Sequence, residues 1–249
     1  MPILNDISTK APKELNKEAT KAQIEGLKEQ LNELQNLLYA ESKQAVLVIL
    51  QGLDASGKDG AIRRVFSGLN PQGIVVTSFK VPTEEEMSHD FLWRIHRHAP
   101  AKGMIGVFNR SQYEDVLVTR VHGWCNDEMA HKRFRAINDF ERLLQEHNNT
   151  RILKFYLHIS PEEQQERLQE RVHNPAKAWK YNAKDFEEAA RWNDYRQAYE
   201  DVFAHCNDVP WTIVPADQNW YKEYVITKAI IDTLSGLNMQ YPLPKDKIT

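Results

Sequence analysis

The feature that most constrains this chain is Gly52-Leu-Asp-Ala-Ser-Gly57-Lys58-Asp59-Gly60, which follows the apolar run Ala45-Val-Leu-Val-Ile-Leu50. The run is rich in β-branched residues and ends at a glycine turn, the signature of a central parallel strand buried on both faces. The stretch after the lysine reads as a helix. A G-x-x-x-x-G-K motif between such a strand and such a helix is a phosphate-binding loop. Gly52 and Gly57 let the backbone curl so that several N–H groups point into one concavity. The helix that begins there adds the positive end of its dipole. Lys58 brings a flexible point charge to a phosphate oxygen. Ala55, Ser56, Gly57, Asp59 and Gly60 are therefore candidate substrate contacts together with Gly52.

Two positions depart from the usual loop. The lysine is normally followed by Ser or Thr, whose hydroxyl binds magnesium; here Asp59 follows it. Asp54 lies inside the loop, and a carboxylate beside a phosphate is unfavourable unless a cation lies between them. Asp54 is thus a candidate ligand for Mg²⁺, which favours one or two carboxylates plus phosphate oxygens. Asp59 either joins it or caps the helix start, where Asp is common.

Around this centre the pattern alternates. Residues 1–12 read as a flexible leader. A helix is predicted to about residue 41, because Ile24, Leu27, Leu31, Leu34 and Leu38 form one apolar stripe at spacings of three and four. That stripe packs either on the body of its own chain or on another subunit. Helices are predicted over 58–69, 84–98, 111–120, 128–147, 162–173, 184–206 and 217–235. Strands are predicted over 73–79, 104–108, 152–159 and 211–214, and the tail after Ser235 looks irregular. Such alternation means an α/β fold with a mostly parallel sheet flanked by helices. The expected division is a leader and helix over 1–41, a main domain over 42–235 with a lid at about 167–183, and a tail over 236–249.

Met104-Ile-Gly-Val-Phe108 leads into Asn109-Arg110-Ser111-Gln112-Tyr113-Glu114-Asp115. Residues that end a parallel strand face the ligand crevice. Many phosphate-loop enzymes place a metal-holding acid there; this chain has Asn109, which accepts but carries no charge. Arg110 can clamp a phosphate. Glu114 either supplies negative charge to the metal or is an ordinary acid in a first helical turn. Arg167 and Arg171 are four apart and share a helix face. Asn174-Pro175 ends that helix, and Lys177, Trp179 and Lys180 follow in a loop. Together these residues read as a mobile lid that grips phosphate and excludes water, or as a solvated helix end with a packed tryptophan. Lys80, after the second strand, is a further candidate contact.

Composition narrows the classes. The 249 residues carry 32 Lys and Arg against 35 Asp and Glu, a net charge of −3, so a general nucleic-acid or membrane-surface binder is not expected. The longest clean apolar run falls far short of a membrane span, and the N-terminus lacks a signal pattern. Two distant cysteines, Cys125 and Cys206, read as incidental thiols of a cytoplasmic protein, with a lone disulfide or redox role as the alternative.

Taken in order, these motifs resemble the polyphosphate kinase 2 family. Gly52 to Gly60 resembles its first signature, Phe108-Asn-Arg-Ser-Gln-Tyr-Glu114 its second, and Asn174-Pro-Ala-Lys-Ala-Trp-Lys180 its lid. Ser78-Phe-Lys-Val-Pro82 and Pro215-Ala-Asp-Gln-Asn-Trp-Tyr221 fit as well, so the likeness runs from about residue 20 to 235. The resemblance implies a phosphate-loop kinase fold with a helical lid and an N-terminal helical extension. It implies reversible phosphoryl transfer between inorganic polyphosphate and an adenine or guanine nucleotide, with Mg²⁺, or Mn²⁺ in its place. By that likeness Asp54 holds metal and Lys58 binds phosphate. Arg110 binds the transferring group, and Arg171 with the lid lysines contacts polyphosphate or nucleotide. Asn109 and Tyr113-Glu-Asp115 look like the subgroup acting on both AMP and ADP. A homodimer or homotetramer is implied too. The main rival is an ATP-dependent kinase of a small metabolite or nucleotide using the same loop; a non-catalytic nucleotide switch is a third reading, which Asp54 disfavours.

Overall fold

Chain order alternates helices and strands. In the computed structural model, which describes residues 4–243, the elements are α1 (Lys17–Glu41), β1 (Ala45–Gln51), α2 (Lys58–Val65), β2 (Ile74–Ser78), α3 (Glu84–Met87), α4 (Trp93–His96) and β3 (Ile105–Asn109). Then follow α5 (Val118–Val121), α6 (Asp127–Asn148), β4 (Thr150–His158), α7 (Pro161–His173), α8 (Ala183–Ala190), α9 (Trp192–His205), β5 (Trp211–Pro215) and α10 (Asn219–Ser235). The five strands form one parallel sheet in the order β2-β3-β1-β4-β5. The expected α/β class and central parallel sheet are therefore present.

Every residue of β1 is buried. Its place between β3 and β4 explains the uninterrupted apolar run, since both sheet faces are covered. Burying each such Val, Leu or Ile contributes about 1.5–3 kcal/mol. β2 is an edge strand, and there Val75 and Val76 remain about half exposed. The chain leaves β1 toward one edge and reaches β4 and β5 on the other side. The crevice at the carboxyl ends of β1 and β3 is thus a topological switch point, where α/β sheets place ligands.

α1 begins at Asn16, whose side chain accepts from Glu18 and Ala19 N–H. It lies along α10, and Leu31 and Leu38 join the same core as the strands. The apolar stripe thus packs on its own chain. The first residues are not a loose leader where they are described. Leu4 is buried, His158 Nε2 lies 3.2 Å from Ile7 O, and Thr9 Oγ1 donates to Asp217 Oδ2 at 2.7 Å. Residues 1–3 and 244–249 lie outside the described part, so the expected leader and tail are described only in part.

Four predicted helices are shorter or broken. The helix after the phosphate loop stops at Val65, with Gly68 beyond it at φ +86°. Residues 84–98 split into α3 and α4, because Asp90 Oδ1 takes the Leu92 N–H and starts a new turn. Residues 111–120 become a 3₁₀ turn over Gln112–Val116 and then α5, with Leu117 off helical geometry between them. The 184–206 helix breaks at Arg191, whose guanidinium reaches Val121 O at 3.0 Å. At Arg191 a tertiary contact outweighs local propensity, whereas at Asp90 the competing bond is itself local.

Candidate active site

The site is assembled at the carboxyl ends of β1 and β3. Leu50 is level with Asn109, and Asn109 with Ser78, so three strands deliver their ends to one rim. Beyond β1 the loop turns sharply. Gly52 has φ +150° and Gly57 φ +93°, and a Cβ on Gly57 would collide with Lys222 Nζ. Glycine is needed there for the conformation.

Lys58 is buried at the start of α2. Its Nζ donates back to Gly52 O at 2.6 Å and Leu53 O at 3.1 Å. Burial and the nearby Arg110 charge pull it down to about 8, against the opposing pull of Asp54, Glu114 and Asp59. Arg110 follows Asn109 in the left-handed region at φ +64°. That geometry turns its guanidinium back over the loop, with Nη2 2.8 Å from Asp54 Oδ1 and Nη1 3.7 Å from Glu114 Oε2. Glu114 first, and Asp54 after it, hold Arg110 firmly protonated against burial. The Gln51 amide is satisfied with its nitrogen donating to Glu114 Oε1 at 3.0 Å and its oxygen accepting from Ser111. The carboxylates of Asp54 and Glu114 therefore flank one guanidinium at the crevice.

Asp59 does not cap α2; the residue before the helix is Gly57, which offers no side-chain cap. Instead Asp59 accepts from Asn109 Nδ2 at 2.8 Å and lies 3.3 Å from Lys180 Nζ. Burial works against its ionisation, but Asn109, Lys180 and Lys58 outweigh it and lower its pKa. The pair joins Lys180, in the expected lid, to the loop helix.

The structure separates the other lid residues. Arg171 pairs with Asp185 at the start of α8, and Lys177 pairs with Glu170. Trp179 is 78% exposed. Lys80 is exposed, and its carbonyl accepts from the buried Arg94 at 2.9 Å. Arg167 and Arg171 share a helix but not a task. Arg167 donates to Glu163 Oε1, to the carbonyls of Ala55 and Ser56, and to those of Ala216 and Asp217, at 2.7–3.1 Å. It sits behind the loop with its donors engaged, not in the lid.

Several residues here are not among the sequence candidates. Gln164 Nε2 donates to Asp54 O at 2.9 Å, and Tyr199 OH accepts from Gly52 N at 3.1 Å. Lys222 Nζ donates to Ser56 O and to Asn219 Oδ1. Burial, with Arg167 and Arg64 close by, pulls Lys222 down to about 7. Asp185 feels burial and then the charge of Asp54, which raise its pKa. Farther in, Lys154 reaches Glu141 Oε2, Tyr113 OH and Cys206 O at 2.8–2.9 Å, while Glu141 also accepts from Gln112 and Tyr113. That buried network fixes the turn carrying Arg110 and Glu114. Two signals in the sequence point to these lysines. Lys222 precedes Ile226 and Ile230 at four-residue spacing, on an apolar stripe. Lys154 interrupts the apolar run Ile152 to Leu157.

Among the described residues, no cluster of three or more His, Cys, Asp and Glu side chains is placed to hold a metal by itself. Two carboxylates beside a phosphate cradle still fit an ion that takes much of its shell from water and phosphate. The chemistry available is anion binding by the loop, Lys58 and Arg110, with Asp54 and Glu114 as hard oxygen donors. Both cysteines are free and buried, and burial, partly offset by Lys154, pushes Cys206 up to about 12. Among the described residues, no helix is long and apolar enough to cross a membrane.

Comparison with known proteins gives the family and the fold. The family model described as polyphosphate kinase 2 matches residues 14–242. The AMP/ADP-polyphosphate phosphotransferase of Meiothermus ruber is 48% identical over 92% of this chain and 86% of its own. The ADP-polyphosphate phosphotransferase of Rhodopseudomonas palustris is 46% identical over 86% of this chain and 78% of its own. The crystal structure of polyphosphate kinase 2 from Arthrobacter aurescens superposes with a TM-score of 0.94 at 42% identity, covering 97% of this chain and 88% of that one.

Proposed function

The chain belongs to the polyphosphate kinase 2 family, and from that premise we propose a polyphosphate-dependent nucleotide kinase that makes ATP from ADP and also accepts AMP. The observation that carries this reading is the meeting of Asp54, Lys58 and Arg110 in one crevice at the switch point.

A terminal oxygen of the nucleotide phosphate attacks the end phosphorus of the polyphosphate chain. One P–O bond forms, the bridging P–O bond breaks, and the chain leaves shorter by one phosphate. The nucleophile is already ionised at neutral pH, so no general base is needed. The protein's share is alignment and charge stabilisation. The loop amides and Lys58 hold phosphate oxygens, and Arg110 meets the charge that spreads in the transition state. Arg110 is released for this when ligand competes with its carboxylate partners. Those carboxylates, Asp54 with Glu114, would hold the divalent ion; we take it as Mg²⁺, with Mn²⁺ as a substitute. When bound, that ion neutralises phosphate charge that the near-neutral chain cannot neutralise alone. Lys180, Lys177, Trp179, Arg171 and Lys80 form the outer contacts, on adenine or guanine nucleotide and on polyphosphate, as the part of the expected 167–183 lid beyond Arg167 closes. Asn109 positions Asp59 instead of binding metal.

The reading also carries a working division of the chain at 41/42 and 235/236, a cytoplasmic location where nucleotides are found, and a homodimer or homotetramer. The half-exposed Val75 and Val76 with the exposed Val81 and Met87 offer an apolar edge for self-association. Sedimentation should show more than one chain per particle. The activity itself is tested by giving the enzyme ADP, long-chain polyphosphate and Mg²⁺, and separately a small acceptor with ATP as sole donor. ATP should form in the first mixture. A protein active only in the second is an ATP-dependent kinase.

A further inference from the structure

Three consecutive carbonyls of the phosphate loop are each held by a side chain from outside the loop. Gln164 Nε2 takes Asp54 O at 2.9 Å, Arg167 Nη1 takes Ala55 O at 3.1 Å, and Arg167 with Lys222 Nζ takes Ser56 O at 3.1 Å. A trans peptide is planar, so a carbonyl drawn to one side turns the next residue's N–H to the other. Pulling these three carbonyls back therefore directs the amides of Ala55, Ser56 and Gly57 away from α7 and α10. Ser56 N–H closes the turn on Leu53 O at 3.1 Å. Those of Ala55 and Gly57 are left for a ligand.

Lys222 is the member that helix propensity and burial least explain. It is fully buried one turn into α10, a lysine where the neighbouring stripe is isoleucine. Its ammonium lies in the space a side chain at Gly57 would need, and Asn219 Oδ1 steers it at 3.0 Å. A buried cation is costly unless it is hydrogen-bonded and used. We infer that Lys222 is a positioning residue for phosphoryl transfer: it anchors Ser56 O from behind so that the Gly57 amide faces the phosphate. The inference rests on the proposed kinase reading for its kinetic readout, but not for its binding readout.

The test compares Lys222→Met, Lys222→Gln and Asn219→Ala with the wild-type chain. Each is measured for melting temperature, for the dissociation constants of tripolyphosphate and of ATP by calorimetry, and for kcat and KM of ADP and of polyphosphate. Lys222→Met should weaken the loop's ligand at least tenfold, while the affinity of the other substrate stays within twofold. Its kcat should fall at least 30-fold. Lys222→Gln, which keeps a donor, should recover part of both losses, and Asn219→Ala should show a smaller change of the same pattern. A purely structural role would lower the melting temperature and the active fraction but leave KM and both dissociation constants at wild-type values; that result overturns the inference. Should Lys222→Met fail to fold, Asn219→Ala decides: wild-type affinity and KM in that variant overturn the inference. Absence of ATP synthesis by the wild type would defeat the kinase reading, with calorimetry still judging Lys222.

Discussion

The phosphate loop and the lid both gather cations, and they hold them in opposite ways. Behind the loop, Arg167 has its guanidinium donors engaged and Lys222 is fully buried. In the lid, Lys177 and Lys180 each meet one carboxylate, Glu170 or Asp59, at a partly exposed site. A buried, saturated cation cannot be displaced without leaving partners unpaired. An exposed pair contributes about 0–1 kcal/mol and exchanges readily for a polyanion. The loop is therefore preorganised and the proposed lid has exchangeable pairs. Arg110 lies between the two, paired with Asp54 and Glu114 but still over a third exposed, and so able to switch partners.

That contrast can be broken experimentally, and the loop offers the largest effects. Lys58→Ala and Asp54→Ala should each cost at least ~10³-fold in kcat while the protein stays folded, since the first removes a cation from the reacting phosphates and the second a proposed holder of the divalent ion. Wild-type rates in either would end the assignment. Arg110→Ala should cost about 10²–10³-fold, again in kcat, the range for one transition-state donor. The strand-end turn is the structural counterpart. Glu141→Gln leaves Lys154 buried beside a neutral amide and should destabilise the fold by about 3–5 kcal/mol, read by denaturant unfolding. The lid should give the smallest effects. Lys180→Ala should raise the KM for polyphosphate only a few-fold, and the wild-type KM should itself rise with added salt, because an exposed contact is screened.

Proton chemistry sharpens the same comparison. Free Lys58 titrates near 8, so kcat/KM should fall about tenfold per unit as pH rises beyond 8. Stability should respond the other way. An unfolded lysine keeps its proton to about 10.5, so between 8 and 10.5 the unfolded chain binds more protons than the folded one, and this group adds stability as pH rises. Activity lost above pH 8 with an unchanged or higher melting temperature would place the loss at the loop and not in unfolding.

The centre of the fold was legible because one short stretch fixes the strand, the turn and the helix start. The run into Gly52 needs a buried central strand, and the strand in turn places Lys58 at a helix start. Asn109 and Arg110 followed from strand-end logic alone. Arg167 shows where such reasoning fails. Its spacing to Arg171 is right for a shared helix face, but position along the helix decides which carbonyls it can reach, and spacing is silent on that. Gln164, Tyr199 and Lys222 act on loop backbone from 110 to 166 residues away in sequence. No local pattern marks such contacts, apart from the oddity of a lysine on an apolar stripe. The 184–206 helix breaks for the same reason, because Arg191 answers to Val121 O 70 residues away, whereas the break within 84–98 is local: Asp90 takes the Leu92 N–H two residues on.

The most direct test of a preorganised loop transferring phosphate from polyphosphate is phosphorus NMR of ADP, polyphosphate and Mg²⁺ with wild-type enzyme and with Lys58→Ala. The γ-phosphorus signal of ATP should grow as polyphosphate end groups shift with the wild type, and should be absent or at least ~10³-fold slower with the variant. Equal rates in the two samples, or no ATP signal from the wild type, would contradict it.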